Sequence, residues 1–209
     1  MRFRPLALGL AACAALALAG RPAAAQGAFY GFLVAGANAN QINGDDLAGY
    51  NHLGGYGGVG VYNDLADRWR WSLAIAYTRQ GSRATSRETV RQLSPFDRIT
   101  LDYVAVPARL HFMDWLSADE TFYHLEFTGG VEYYRLIGSE VTGLAGDDIT
   151  ESRPYADNAV ALTVGALYAW SLRWGASINY NRGVSDAQAR GGERRQFFEQ
   201  LSFRVRFTL

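Results

Sequence analysis

The sequence has no lysine; all 20 of its basic residues are arginine. That excludes a lysine-dependent phosphate loop and Schiff-base chemistry. It has one cysteine, Cys13, in a segment expected to be removed. The mature chain therefore carries no disulfide framework, thiolate metal site or cysteine nucleophile. Beyond Gln26 no run approaches the roughly 18–20 consecutive apolar residues of a membrane-spanning helix, and no stretch keeps a helical period for more than a turn or two. Three histidines, His52, His111 and His124, restrict the choice of a general base.

Arg2 and Arg4 precede an apolar run from Leu6 to Ala19, then Arg21-Pro22 and Ala23-Ala24-Ala25. This order of charge, short apolar core and small residues reads as a secretory signal peptide over 1–25, cleaved after Ala25. Leu10-Ala11-Ala12-Cys13 looks like a lipoprotein cleavage box, but the apolar run continues past Cys13 and argues against a cut there. Without Arg2, Arg4 and Arg21, 17 arginines face 20 acids. A balance of −3 does not suggest a nucleic-acid partner.

The sequence is 49% hydrophobic, with 12 Tyr, 11 Phe and 5 Trp. From residue 26 to 209 it reads as one domain of alternating strands. In the clearest, Trp69, Trp71, Leu73, Ile75 and Tyr77 oppose Arg70, Ser72, Ala74, Ala76, Thr78 and Gln80; strand side chains alternate faces, so one side is apolar and the other polar or small. The same split recurs over 100–112, 123–133, 160–170, 174–181 and 197–209. Residues 29–38 and 54–63 are Gly-rich strands of weaker alternation, which brings the count to eight. Long polar connections near 39–53, 83–98, 139–156 and 185–195 alternate with short ones near 64–68, 113–120 and 171–173. The pattern predicts an all-β, closed, eight-stranded antiparallel up-and-down transmembrane β-barrel, porin-like in its wall, with long loops outside and short turns on the periplasmic side.

Trp69, Trp71, Trp115, Trp170 and Trp174 all lie beside short turns and are expected to form a periplasmic-side aromatic belt at headgroup level. Tyr50, Tyr77, Tyr133, Tyr134, Tyr155 and Tyr180 lie toward the other end. Eight strands leave a lumen just wide enough for side chains, so no open pore is expected. A hairpin of the fourth and fifth strands about 116–117 brings Arg109 near His124 and Glu126. These three are expected to form an interior ion-pair cluster, with Arg204 and Arg206 seeking Glu126 or Glu132. Its role is structural, because buried charges are normally paired.

Several stretches stand out in order along the chain: Ala35-Gly36-Ala37-Asn38, Asp64-Leu65-Ala66-Asp67-Arg68, Tyr77-Thr78-Arg79-Gln80-Gly81, Leu101-Asp102-Tyr103-Val104-Ala105-Val106-Pro107 and Tyr180-Asn181-Arg182-Gly183, with the closing amphipathic strand. Together they resemble the PorT-like outer-membrane β-barrel domain family of Bacteroidetes-type bacteria. The segment ending in Pro107 is the most specific. The resemblance implies an integral outer-membrane barrel; a few members are linked to secretion or surface assembly. The family often has an inward glutamate where Ala74 and Ala105 stand and an arginine where Asn179 stands, so this lumen is expected to be less charged.

Other features are weighed and set aside. Gly55-Tyr56-Gly57-Gly58-Val59-Gly60 matches a dinucleotide fingerprint but precedes more strand, not a helix. Asp147, Asp148 and Glu151 match no calcium-loop spacing. Catalytic, cofactor-binding and metal residues are expected to be none. An outer-membrane enzyme acting on lipids is one alternative, with His52 near Asp45 and Asp46 as base and Ser82, Ser86 or Ser94 as nucleophile. A soluble lipocalin-like barrel is the other, and it needs an apolar lumen. Arg83, Arg87, Arg91, Arg190, Arg194 and Arg195 form a basic rim suited to lipopolysaccharide phosphates. Expected partners are outer-membrane lipid and, through Phe203, Val205, Phe207 and Leu209, the barrel-insertion machinery. The expected state is a monomer in the bacterial outer membrane, with a structural or surface-interaction role.

Overall fold

The computed structural model describes residues 29–44, 49–85, 96–152, 155–187 and 196–209; residues 1–28, Cys13 among them, and the central parts of several loops lie outside them. Eight antiparallel strands run in chain order: β1 (Tyr30–Asn43), β2 (His52–Ala66), β3 (Trp69–Arg83), β4 (Phe96–Leu116), β5 (Tyr123–Gly143), β6 (Asn158–Ala169), β7 (Trp174–Gly183) and β8 (Phe197–Thr208). Each pairs with its sequence neighbour, and β1 pairs with β8 from Phe32 opposite Thr208 to Asn43 opposite Phe197, closing the barrel. Closure leaves no unpaired edge, which an isolated sheet would expose. No helix among the described residues is long and apolar enough to cross a membrane.

Strands extend further into the expected loops than the alternation suggested. β4 and β5 are each 21 residues long, and their pairing continues to Phe96 opposite Gly143. The third long connection is correspondingly shorter, with one 3-10 turn at Thr150–Ser152. Polar residues such as Arg98, Ser139 and Glu140 hid this extension, because beyond an apolar band the outward face no longer needs to be greasy. The glycine fingerprint over 55–60 lies wholly inside β2, with no helix to receive a phosphate.

The alternation carries into three dimensions directly. Leu73, Ile75, Val131, Leu162, Val164, Ile178 and Phe203 point outward and are exposed, while Ser72, Ala74, Thr78, Glu126, Glu132, Asn179, Asn181, Gln200 and Arg204 point inward and are buried. The buried interior is thus mostly polar and the exterior apolar, the reverse of a soluble domain.

Candidate functional site

The lumen is filled in layers. Nearest the short turns, Glu126 accepts both guanidinium nitrogens of Arg206 at 2.6 and 2.9 Å, and Arg70 Nη1 at 3.1 Å. Arg70 also reaches Asp64 through Nε at 2.6 Å and lies 4.0 Å from the centroid of the Tyr62 ring. Inward residues of β2, β3, β5 and β8 meet here, so the contacts lie across the lumen and not only along one ladder.

The next layer centres on Glu132, which is fully buried. It pairs with Arg109, accepts the Tyr134 hydroxyl at 2.6 Å and the Asn181 amide at 2.9 Å, and has Arg204 at 3.7 Å. Arg109 also donates to Asn179 Oδ1 at 3.2 Å, and the Arg204 guanidinium lies 3.6 Å from the Tyr56 ring centroid. Above it the charges give way to amides and hydroxyls: Gln200 donates to Asn40 and Thr78, and Asn40 donates to Asn38. The long-loop end is capped by an apolar cluster including Ile42, Ile99, Leu101, Tyr103, Tyr134, Val141 and Phe198. Tyr134 meets Phe198 edge-on at 5.1 Å and Tyr103 at 5.7 Å. A cavity of about 50 Å³ remains beside Ser72, Arg109 and His111, and a mouth of about 520 Å³ opens at the short-turn end below Glu126 and Arg206.

Of the residues expected to cluster, Arg109, Glu126, Glu132, Arg204 and Arg206 all contribute to the lumen, but not as one group. Arg109 joins Glu132 rather than Glu126, because the β4–β5 hairpin is centred later than 116–117. Its turn runs from Ser117 to Phe122, closed by the Phe122 carbonyl accepting the Ser117 N–H at 2.8 Å and by the Ser117 hydroxyl accepting the Thr121 and Phe122 amides. That register sets Arg109 opposite Gly130. His124 is the outlier: its Nδ1 meets the Ala169 carbonyl at 2.8 Å, and its ring packs on Trp115, Phe122 and Tyr168. His111, Arg70 and Asp64 take part instead. Alternation places the first two on the inward face, but their pairing directly across β3 and β4 needs a register that a long loop does not encode. Ala74, Ala105 and Asn179 all face inward and are buried.

Outside, Trp69, Trp115, Trp170 and Trp174 are exposed at the short-turn end, and Trp71 packs edge-on against Phe29. Trp69 meets Phe112 at 5.2 Å and Trp174 meets Phe207 at 4.7 Å. Toward the loops, Tyr77 and Arg79 converge on Asp102, and Tyr133 and Arg135 on Asn158. Each set joins an outward tyrosine to an arginine at a boundary between apolar and polar surface. Tyr134 and Tyr155 do not belong to this outer band: both are buried in the apolar cap, since Tyr134 follows Tyr133 onto the opposite face. Tyr50 donates to Glu199 at 3.0 Å and ties the first long loop to β8; burial and this carboxylate push its phenol up to about 12.

No family model matches the chain, and no curated protein matches it. Among solved structures it is similar to Ail, the attachment invasion locus protein of Yersinia pestis, in complex with the heparin analogue sucrose octasulfate. The identity is 10% and the TM-score 0.50, over 87% of this chain and 99% of that one. It is also similar to Neisserial surface protein A, at 16% identity and a TM-score of 0.51, over 87% and 97% of the two chains. At these identities the likeness is one of architecture. The fold is that of a small eight-stranded outer-membrane β-barrel.

Within this barrel one arrangement has the outline of a hydrolytic triad. Ser72 Oγ lies 2.8 Å from His111 Nε2, and His111 Nδ1 lies 3.1 Å from Glu126 Oε2. Sequence reasoning looked for such a set in the loops and missed it here, although all three residues are inward-facing. The geometry lacks the other requirements of catalysis. Beside Ser72 there is room for little more than water, the adjacent strand amides are committed to the ladder, and Glu126 is already held by two guanidiniums. The loop alternative lies mostly outside the described residues. His52 is buried with Nε2 3.3 Å from Thr100 Oγ1, and Ser82 is buried; Asp45, Asp46, Ser86 and Ser94 lie outside the described residues. Asp148 is engaged by Thr150, and no group of three metal-ligating side chains occurs among the described residues.

Proposed function

We propose that the chain is an integral protein of the bacterial outer membrane with a structural or surface-interaction role and no reaction of its own. In this reading it is exported through the secretory pathway, seated by the barrel-insertion machinery and held as a monomer. The observation that carries this is the inversion of polarity across the wall. Ile75, Ile178, Val164 and Phe203 are 62%, 59%, 58% and 55% exposed, whereas Glu132 and Arg204 are 0% and 1% exposed. A continuous apolar exterior of this kind is costly in water and favourable in hydrocarbon. The tryptophans at the short-turn end then sit at the inner interface and the Tyr77 and Tyr133 clamps at the outer one. The lumen charges fill and rigidify the barrel. A lipocalin-like role is disfavoured by a lumen of ion pairs where an apolar ligand would sit. Membership of the PorT-like group is a finer proposal, resting on the segment Leu101–Pro107 and its neighbours.

The test is electrophoretic mobility of protein from the membrane fraction, boiled against unboiled, with salt and high-pH extraction alongside. A mobility shift on boiling with no extractable protein is expected. Identical mobility and a salt-extractable protein would overturn the reading.

A further inference from the structure

The outward face of β3 and β4 at the long-loop end carries three arginines. Arg79 is clamped to Asp102 at 2.8 and 3.1 Å. Further toward the loop, Arg83 stands directly opposite Arg98 in the ladder. Like charges directly across a strand pair are unfavourable, and among the described residues neither has a carboxylate within ion-pair distance, a state shared only with Arg173, whereas Arg68, Arg70, Arg79, Arg109, Arg135, Arg182, Arg204 and Arg206 all have one. Arg79, Arg83 and Arg98 line an open cavity of about 280 Å³ together with Asn51, His52 and Thr100. Two facing arginines with no carboxylate partner among the described residues, at a cavity on the outer wall, are an arrangement that an external anion can complete.

The surface beneath narrows the kind of anion. Leu53, at the lip of the cavity, is 77% exposed, and Val59 and Ile75 are 57% and 62% exposed. Between Leu53 and Val59 the outward positions of β2 are Gly55 and Gly57, where a Cβ would meet nothing within 4 Å. A shallow apolar groove therefore runs from the arginines toward the middle of the barrel. Its upper end suits phosphate, which guanidinium binds through paired hydrogen bonds, and its lower end suits an acyl chain.

We propose that Arg83 and Arg98, with Arg79 beside them, hold the phosphate of an outer-leaflet lipid whose acyl chain lies over Gly55 and Gly57. The proposal rests on the membrane reading above, because only there does this face meet lipid headgroups. The bound phosphate supplies a counter-charge that no described carboxylate gives the facing arginines, and it fixes the barrel's depth on that side.

The full-length mature protein is inserted into phosphatidylcholine nanodiscs with and without a bis-phosphorylated acylated glucosamine disaccharide, and bound lipid is counted by native mass spectrometry. Arg83→Gln with Arg98→Gln is expected to weaken binding by about tenfold or more, while Arg182→Gln, an outward arginine elsewhere, leaves it within about twofold. Arg83→Lys with Arg98→Lys should restore part of the loss, since charge remains but the paired geometry does not. Equal binding by the double glutamine variant, or by the dephosphorylated lipid, would overturn the site; displacement by millimolar inorganic phosphate as effectively as by lipid would make it an anion site without lipid specificity and would equally overturn the proposal. Failure of the wild type to insert or to shift on boiling would instead strike the membrane reading itself.

Discussion

At the scale of single residues, Glu132 is the most demanding position in the lumen. It is fully buried and faces two guanidiniums, a tyrosine hydroxyl and an asparagine amide. Removing one member of such a group leaves the others desolvated without compensation, which costs more than the pair itself contributes. Glu132→Ala is therefore expected to destabilise the folded barrel by about 3–5 kcal/mol, read from equilibrium urea unfolding in vesicles. Adding Arg109→Ala should recover part of that loss, because it removes one of the stranded charges. A loss below about 1 kcal/mol for Glu132→Ala, or strict additivity in the pair, would show that water enters the layer and screens it. The inward placement of Glu132 was legible from alternation alone. Of its partners only Arg204 was legible, as a candidate for Glu126 or Glu132; Arg109 and Asn181 were not, because their meeting with it depends on how far each strand is sheared around the closed wall.

At the scale of the element, faces were readable and registers were not. A side-chain period of two assigns every strand residue to one of two sides, and the apolar series fixed which side meets the lipid. Register is set by turn chemistry, and the β4–β5 hairpin uses Trp115 at the end of β4 and Glu120 in the turn at φ 58° and 55°, left-handed conformations that neither residue type announces. The misplaced hairpin centre is what put His124 into a cluster it does not join. β2 shows a second constraint invisible in the linear pattern. A Cβ on inward Gly60 would lie 2.7 Å from Ala74 Cβ and 2.8 Å from the Leu73 carbonyl oxygen, whereas outward Gly57 has open space. Gly60→Ala is expected to cost about 1–3 kcal/mol by forcing the β2–β3 wall apart, and Gly57→Ala to lie within about 0.5 kcal/mol of wild type. Paired unfolding midpoints check this, and equal effects at the two sites would mean that the wall gives way without cost.

At the scale of the whole molecule, the lumen is three barriers in series. Ions entering from the short-turn mouth meet Glu126 with Arg70 and Arg206, then Glu132 with Arg109 and Arg204, then the Tyr103, Tyr134 and Phe198 cap. Barriers in series are governed by the highest one left standing, so opening the first changes little. Arg206→Ala enlarges the mouth but leaves the Glu132 layer and the aromatic cap intact. Both wild type and Arg206→Ala are therefore expected to give no discrete conductance steps in planar lipid bilayers. Steps from the wild type would contradict a filled lumen outright. Steps from Arg206→Ala alone would mean that the layers hold one another in place, so that loss of the lowest guanidinium collapses the packing above it.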